Sequence, residues 1–152
     1  MQTQGSSAVI LLVEDDPGDI ELTRRALEHG KMRNDLRVVC DGEQALDYLL
    51  RRGVFSEPGD APRPALVLLD LNLPRLDGKE VLKEMRNHAD LARIPTVVLT
   101  TSSQEEDVVE SYDLGVNSFI TKPLEMSDFI SVAQALEQYW LQIVVSPVCE
   151  RA

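Results

Sequence analysis

Five short apolar runs, separated by stretches of helical character, decide most of what this chain can become. Ala8–Val13 (AVILLV), Leu36–Cys40 (LRVVC), Ala65–Leu69 (ALVLL) and Thr96–Thr100 (TVVLT) are β-branched and largely continuous, and Ser118–Thr121 (SFIT) is a weaker fifth. Alternating apolar and polar residues would mark strands with one wet face. Continuous runs mark strands covered on both. Between them, Pro17–His29 carries Ile20, Thr23 and Leu27 at helical spacing and ends before Gly30. Glu43–Arg52 and Gly78–Asn87 follow, and Ser103–Leu114 stops at Gly115, placed as a C-terminal glycine cap. The last helix opens with Ser127 as N-cap and carries Phe129, Val132, Leu136, Trp140 and Ile143 on one stripe.

Strand and helix repeated five times predict an α/β fold whose parallel sheet has helices on both faces. Right-handed crossovers leave few ways to connect it. The natural solution is a five-stranded, flavodoxin-like doubly wound (βα)5 sheet of order 2-1-3-4-5, with its ligand crevice at the carboxyl ends of strands 1 and 3. Gly53–Pro64 (GVFSEPGDAPRP) is expected as a loop. Residues 1–7 are expected to be disordered, 8–143 to form the domain and 144–152 a tail.

At 152 residues the chain suits one domain that buries roughly two-thirds of its unfolded surface. Its 26 acids against 15 Lys and Arg give a net charge of -11, which opposes phosphate-backbone binding and attraction to anionic lipid. No apolar run is long enough to span a membrane, and MQTQGSSAVILLVEDD lacks the basic opening of a signal peptide. Cys40 and Cys149, far apart and without CxxC spacing, fit reduced thiols of a cytoplasmic protein.

The crevice rule asks which polar residues end strands 1 and 3. Both ends are acidic: Glu14-Asp15-Asp16 after the first, Asp70 after the third, with Asn72 and Asp77-Gly78 in the next loop. Any one of these could be a solvated loop acid, and Asp16 before Pro17 has the place of an N-cap. Together they form a group whose members raise one another's pKa values unless a cation neutralises them. Oxygen-only ligands suit Mg²⁺. Strand 4 adds Thr100, and Lys122-Pro123 follows strand 5. A hydroxyl and an ammonium beside a cation and a carboxylate are what a phosphoryl group needs.

With LLVEDD (Leu11–Asp16), LLDLNLPRLDG (Leu68–Gly78), VVLTTS (Val97–Ser102) and SFITKPL (Ser118–Leu124) in this order, the chain resembles the response-regulator receiver domains of two-component signalling. The resemblance covers Ala8 to about Trp140. It implies that Asp70 accepts a phosphoryl group from a histidine kinase, with Mg²⁺, or Mn²⁺ in its place. Glu14, Asp15, Asp70 and the Asn72 backbone carbonyl would hold the metal, Glu14 through water. Thr100 and Lys122 would bind the phosphoryl oxygens. Thr100 and Phe119 would act as the switch, moving a surface made of Ser103–Leu114, Ser118–Thr121 and the last helix. A cis bond before Pro123 would aim the ammonium inward. RRGVFSEPGDAPRP and QYWLQIVVSP are similar to single-domain regulators that partner phytochrome-type histidine kinases. Twelve residues follow Trp140, room for a tail and not an output domain. Its Ile143-Val144-Val145 either folds back on the core or joins a homodimer.

Two rivals are weaker. Haloacid-dehalogenase-type phosphatases need a second Asp two residues after the nucleophile, where this chain has Asn72. Receiver-like modules that work without phosphate lose the acceptor, the lysine or an acid, and here all remain.

Overall fold

The computed structural model describes residues 8–28, 34–122, 125 and 127. Five parallel strands, β1 (Ala8–Val13), β2 (Asn34–Val39), β3 (Leu66–Asp70), β4 (Thr96–Thr100) and β5 (Ser118–Thr121), form one sheet of order β2-β1-β3-β4-β5. The predicted order is observed. Every residue of β3 and β4 is buried, as their continuous apolar runs require. The edge strands differ: β2 is half-buried until Val39, and β5 buries only Ile120 fully. An edge strand has a neighbour on one side only, so its apolar residues gain less cover.

The helices are α1 (Pro17–Glu28), α2 (Gly42–Leu50), α3 (Gly78–Arg86), α4 (Ala89–Ala92) and α5 (Ser103–Ser111). They divide the core into two clusters. The larger packs α2 and α3 on Leu11, Val13, Val67, Leu69 and Val98, and the smaller packs α1 on Ile10, Leu12, Leu68 and Leu99. Successive strand residues alternate between the two, as the pleat demands.

Side-chain caps set several of the starts. Asp41 accepts from Gln44 N–H, Asp77 from Glu80 N–H and Ser102 from Glu105 N–H. Three expectations are corrected. Helix α2 ends two residues early because Arg51 turns left-handed (φ 55°), where its N–H bonds back to the helix carbonyls. Helix α5 ends at Ser111, and the left-handed residue next after it is Asp113 (φ 51°), so Gly115 (φ 73°) lies beyond the cap. Gly53–Pro64 contains two 3-10 turns, Gly53–Phe55 and Pro58–Asp60, and Phe55 packs edge-on against Tyr48 at 5.2 Å. Of the predicted last helix only Ser127 is described; the rest of it, the tail, residues 1–7 and Pro123 with its cis bond lie outside the described residues.

Candidate functional site

The site stands at the carboxyl edge of the sheet, where β1 and β3 are neighbours but their crossovers leave in different directions. Strand β1 delivers Glu14, whose side chain is fully buried, and β3 ends in Asp70, only 2% exposed. Acids enter such a place only with partners. Lys122, just past β5, supplies them: its Nζ lies 3.0 Å from Asp70 Oδ2, 3.2 and 3.3 Å from Glu14 Oε1 and Oε2, and 3.1 Å from Asp19 Oδ2. An ammonium has three N–H donors, and three carboxylates surround this one.

Asp70 Oδ1 accepts from Asn72 N–H at 3.0 Å, so both acceptor oxygens are engaged. Glu14 Oε2 also accepts from Asp16 N–H at 3.2 Å. Glu14 Oε1 accepts no hydrogen bond: the ammonium is within ion-pair distance of it but bonds to Oε2. Burial, first, and then the charge of Asp70 push the Glu14 carboxyl up to about 7. Burial also raises Asp19, although its contact with Lys122 works the other way. For Lys122, burial favours the neutral amine, yet Asp70, Asp19 and Glu14 outweigh it and hold the ammonium more firmly charged than usual.

Glu14, Asp15 and Asp70 each place a carboxylate oxygen within 4.8 Å of the others. All three ligands are hard oxygens and the orphaned Glu14 Oε1 is an unused acceptor, so the residues fit a small divalent cation. Asp15 is exposed and opens the group to solvent. Asp16 points to its own helix: its Oδ1 faces Gly18 N–H at 3.4 Å, in keeping with the N-cap reading.

The loop from Leu71 to Asp77 carries Asn72 and is held tightly. A Cβ on Gly78 would meet the Asp70 carbonyl oxygen at 2.6 Å, and one on Gly42 would clash with the Leu76 carbonyl. Arg75 is left-handed (φ 69°), and its guanidinium reaches Asp41 at 3.6 Å and Glu43 at 3.4 Å. On the other flank, Thr100 is fully buried and its Oγ1 has no hydrogen-bond partner. Phe119 is half-buried against the larger core cluster, in register with Val98.

The structure thus gathers Glu14, Asp15, Asp70, Asn72 and Lys122, and sets Thr100 one residue beyond Leu99, the residue paired with Asp70. Sequence reasoning missed Asp19. An acid in the first turn of a helix is ordinarily read as answering the helix dipole, and that reading hides its contact with Lys122.

The profile of the response regulator receiver domain matches residues 10–134. The chain belongs to the receiver domain family. It is 44% identical over 139 residues to response regulator Rcp1 of Synechocystis sp., covering 91% of this chain and 92% of that one. The structure of Mn²⁺-bound Rcp1 superposes with a TM-score of 0.73 over 88% of this chain and 94% of that one, at 44% identity. The phosphorylated cyanobacterial phytochrome response regulator RcpA gives 0.74 at 43% identity, over 90% and 95%. The bacteriophytochrome response regulator RtBRR gives 0.76 at 49% identity, over 86% and 77%. This receiver domain is therefore a response-regulator signalling protein, and accepting phosphate from a kinase on an aspartate is the general work of its family.

Proposed function

We propose that Asp70 is the phosphoacceptor of a two-component relay served by a phytochrome-type histidine kinase. The observation that carries the reading is Lys122, whose ammonium lies 3.0 Å from Asp70 Oδ2 and 3.3 Å from Glu14 Oε2 across 52 and 108 residues of sequence. An Asp70 oxygen attacks the phosphorus of a phosphohistidine; the O–P bond forms as the N–P bond breaks, and the imidazole leaves with a proton. Hydrolysis of the acyl phosphate then returns Asp70 and releases inorganic phosphate, so the chain catalyses only its own loading and reset.

Glu14, Asp15, Asp70 and the Asn72 carbonyl would hold Mg²⁺ or Mn²⁺. Bound there, the cation supplies positive charge against the repulsion between the acceptor and the incoming phosphoryl oxygens. Lys122 and Thr100 take two of those oxygens. Thr100 moves toward the phosphoryl group, Phe119 follows into the space it leaves, and the face of α5, β5 and the last helix changes.

Support for the phytochrome partner comes from the similarity to Rcp1, RcpA and RtBRR, two of which are described as phytochrome or bacteriophytochrome regulators. We take 8–143 as the receiver unit, which contains the matched 10–134, and 144–152 as a tail that helps a homodimer form in the cytoplasm. Among the described residues no helix is long and apolar enough to cross a membrane. Incubation with a small phosphodonor and Mg²⁺, followed by intact mass, tests the acceptor. Wild type gains one phosphoryl group and Asp70→Asn gains none; equal labelling of the two would overturn the reading.

A further inference from the structure

The first turn of α5, just after β4, carries an anion of its own, Glu105, which reaches the acceptor through Asn72. Glu105 Oε1 accepts a hydrogen bond from Thr101 N–H at 2.8 Å and lies 3.5 Å from Asn72 Nδ2. Asn72 N–H in turn donates to Asp70 Oδ1. A chain of contacts therefore runs from the acceptor through Asn72 and Glu105 to the residue that follows Thr100. Because β4 pairs Leu99 with Asp70, Thr100 and Thr101 continue along the acceptor's end of the sheet.

A phosphoryl group on Asp70 needs donors for its oxygens. The donors β4 can offer are the Thr100 hydroxyl, buried and without a partner, and the Thr101 N–H, taken by a carboxylate. Building on the assignment of Asp70, we propose that Glu105 is an intramolecular anionic competitor of the phosphoryl group. It fills the Thr101 N–H in the resting protein and must let go when Asp70 is loaded. Two like charges contending for one donor set a threshold for phosphorylation, and releasing Glu105 frees the first turn of α5.

The plainer role is a helix cap. Ser102 Oγ already caps Glu105 N–H at 3.3 Å, and Glu106 Oε2 accepts from Thr121 Oγ1 at 3.1 Å, so the carboxylate of Glu105 is not the sole anchor of α5. Glu105→Gln separates the roles, since its amide oxygen can still accept from Thr101 N–H while the charge is gone.

The test titrates beryllofluoride, a stable phosphoryl mimic, in excess Mg²⁺ into wild type, Glu105→Gln, Glu110→Gln and Asp70→Asn. Glu110 is exposed on the same helix and serves as a control for charge alone. Glu105→Gln should bind about three- to tenfold more tightly than wild type, the gain should shrink with added salt, and the thermal midpoint should stay unchanged. Wild-type or weaker binding by Glu105→Gln, or an equal gain in Glu110→Gln, would overturn the competitor role. If wild type binds no better than Asp70→Asn, the acceptor assignment fails first and the competitor falls with it.

Discussion

The two flanks of the site hold their buried polar groups in opposite ways. On the β1–β3 flank, Lys122 faces Glu14, Asp19 and Asp70, and every donor of the ammonium has a carboxylate within reach. On the β4 flank, the equally buried Thr100 hydroxyl has no partner, and the next backbone N–H is satisfied only by a side chain from α5. The first flank is a preformed ion cluster, short of positive charge and therefore ready for a cation. The second holds an unmet hydrogen bond, which costs about 1–3 kcal/mol when buried and can be relieved by a new acceptor. Charge and an unmet hydrogen bond thus lie on different halves of one crevice, and the proposed metal binding and switching divide between them.

The largest expected effect breaks the first flank at its centre. Asp70→Asn should abolish labelling by a small phosphodonor, measured by intact mass, because the amide cannot form the acyl phosphate. Next is Lys122→Ala, which leaves Glu14 and Asp70 buried and facing one another. Without metal it should lose about 3 kcal/mol in urea unfolding. The loss should be larger at pH 8 than at pH 6, where Glu14 can take up a proton instead.

Smaller, but more specific, is the pH dependence that Glu14 itself brings. Its carboxyl lies higher in the folded chain (about 7) than its ordinary 4.5, through burial and then Asp70, so the folded state binds this proton more tightly than the unfolded state. Its contribution to stability is therefore present at low pH and is lost as pH rises from about 4.5 through 7. Urea midpoints in chelator should show this slope in wild type, and Glu14→Gln should remove it. Mg²⁺ affinity should rise across the same window as the carboxylate is freed, followed by titration calorimetry at pH 6, 7 and 8. The smallest effect sharpens the second flank. Thr100→Val removes a hydroxyl that has no partner and should be neutral or stabilising by up to about 1 kcal/mol. The same variant should weaken beryllofluoride binding, so a stability loss without a binding change would reverse the contrast.

Much of the fold was legible because continuous apolar runs and 3.6-residue stripes are local signals. β1, β4 and β5 begin and end where the runs do, and β3 is displaced by one residue so that Asp70 closes the strand. Helix ends were less legible. Arg51 and Asp113 adopt left-handed conformations usually left to glycine, and α4 is a single turn with too few residues to show a period. The acids of the site could be read from their places at strand ends, whereas Asp19 could not, because its role depends on a lysine at the far end of the sheet.

By itself the amino-acid order determined the alternation of strands and helices, and hence a parallel sheet with Glu14, Asp15 and Asp70 at its carboxyl edge. Only the tertiary structure decided what those groups do to one another: that Lys122 is shared three ways, that Glu14 is raised toward 7, that Thr100 is left without a partner and that Glu105 holds the Thr101 N–H. The reason is physical. Periodicity acts between near neighbours in the chain, while charge, burial and hydrogen bonding act through distance in space, and these contacts join residues as many as 108 positions apart.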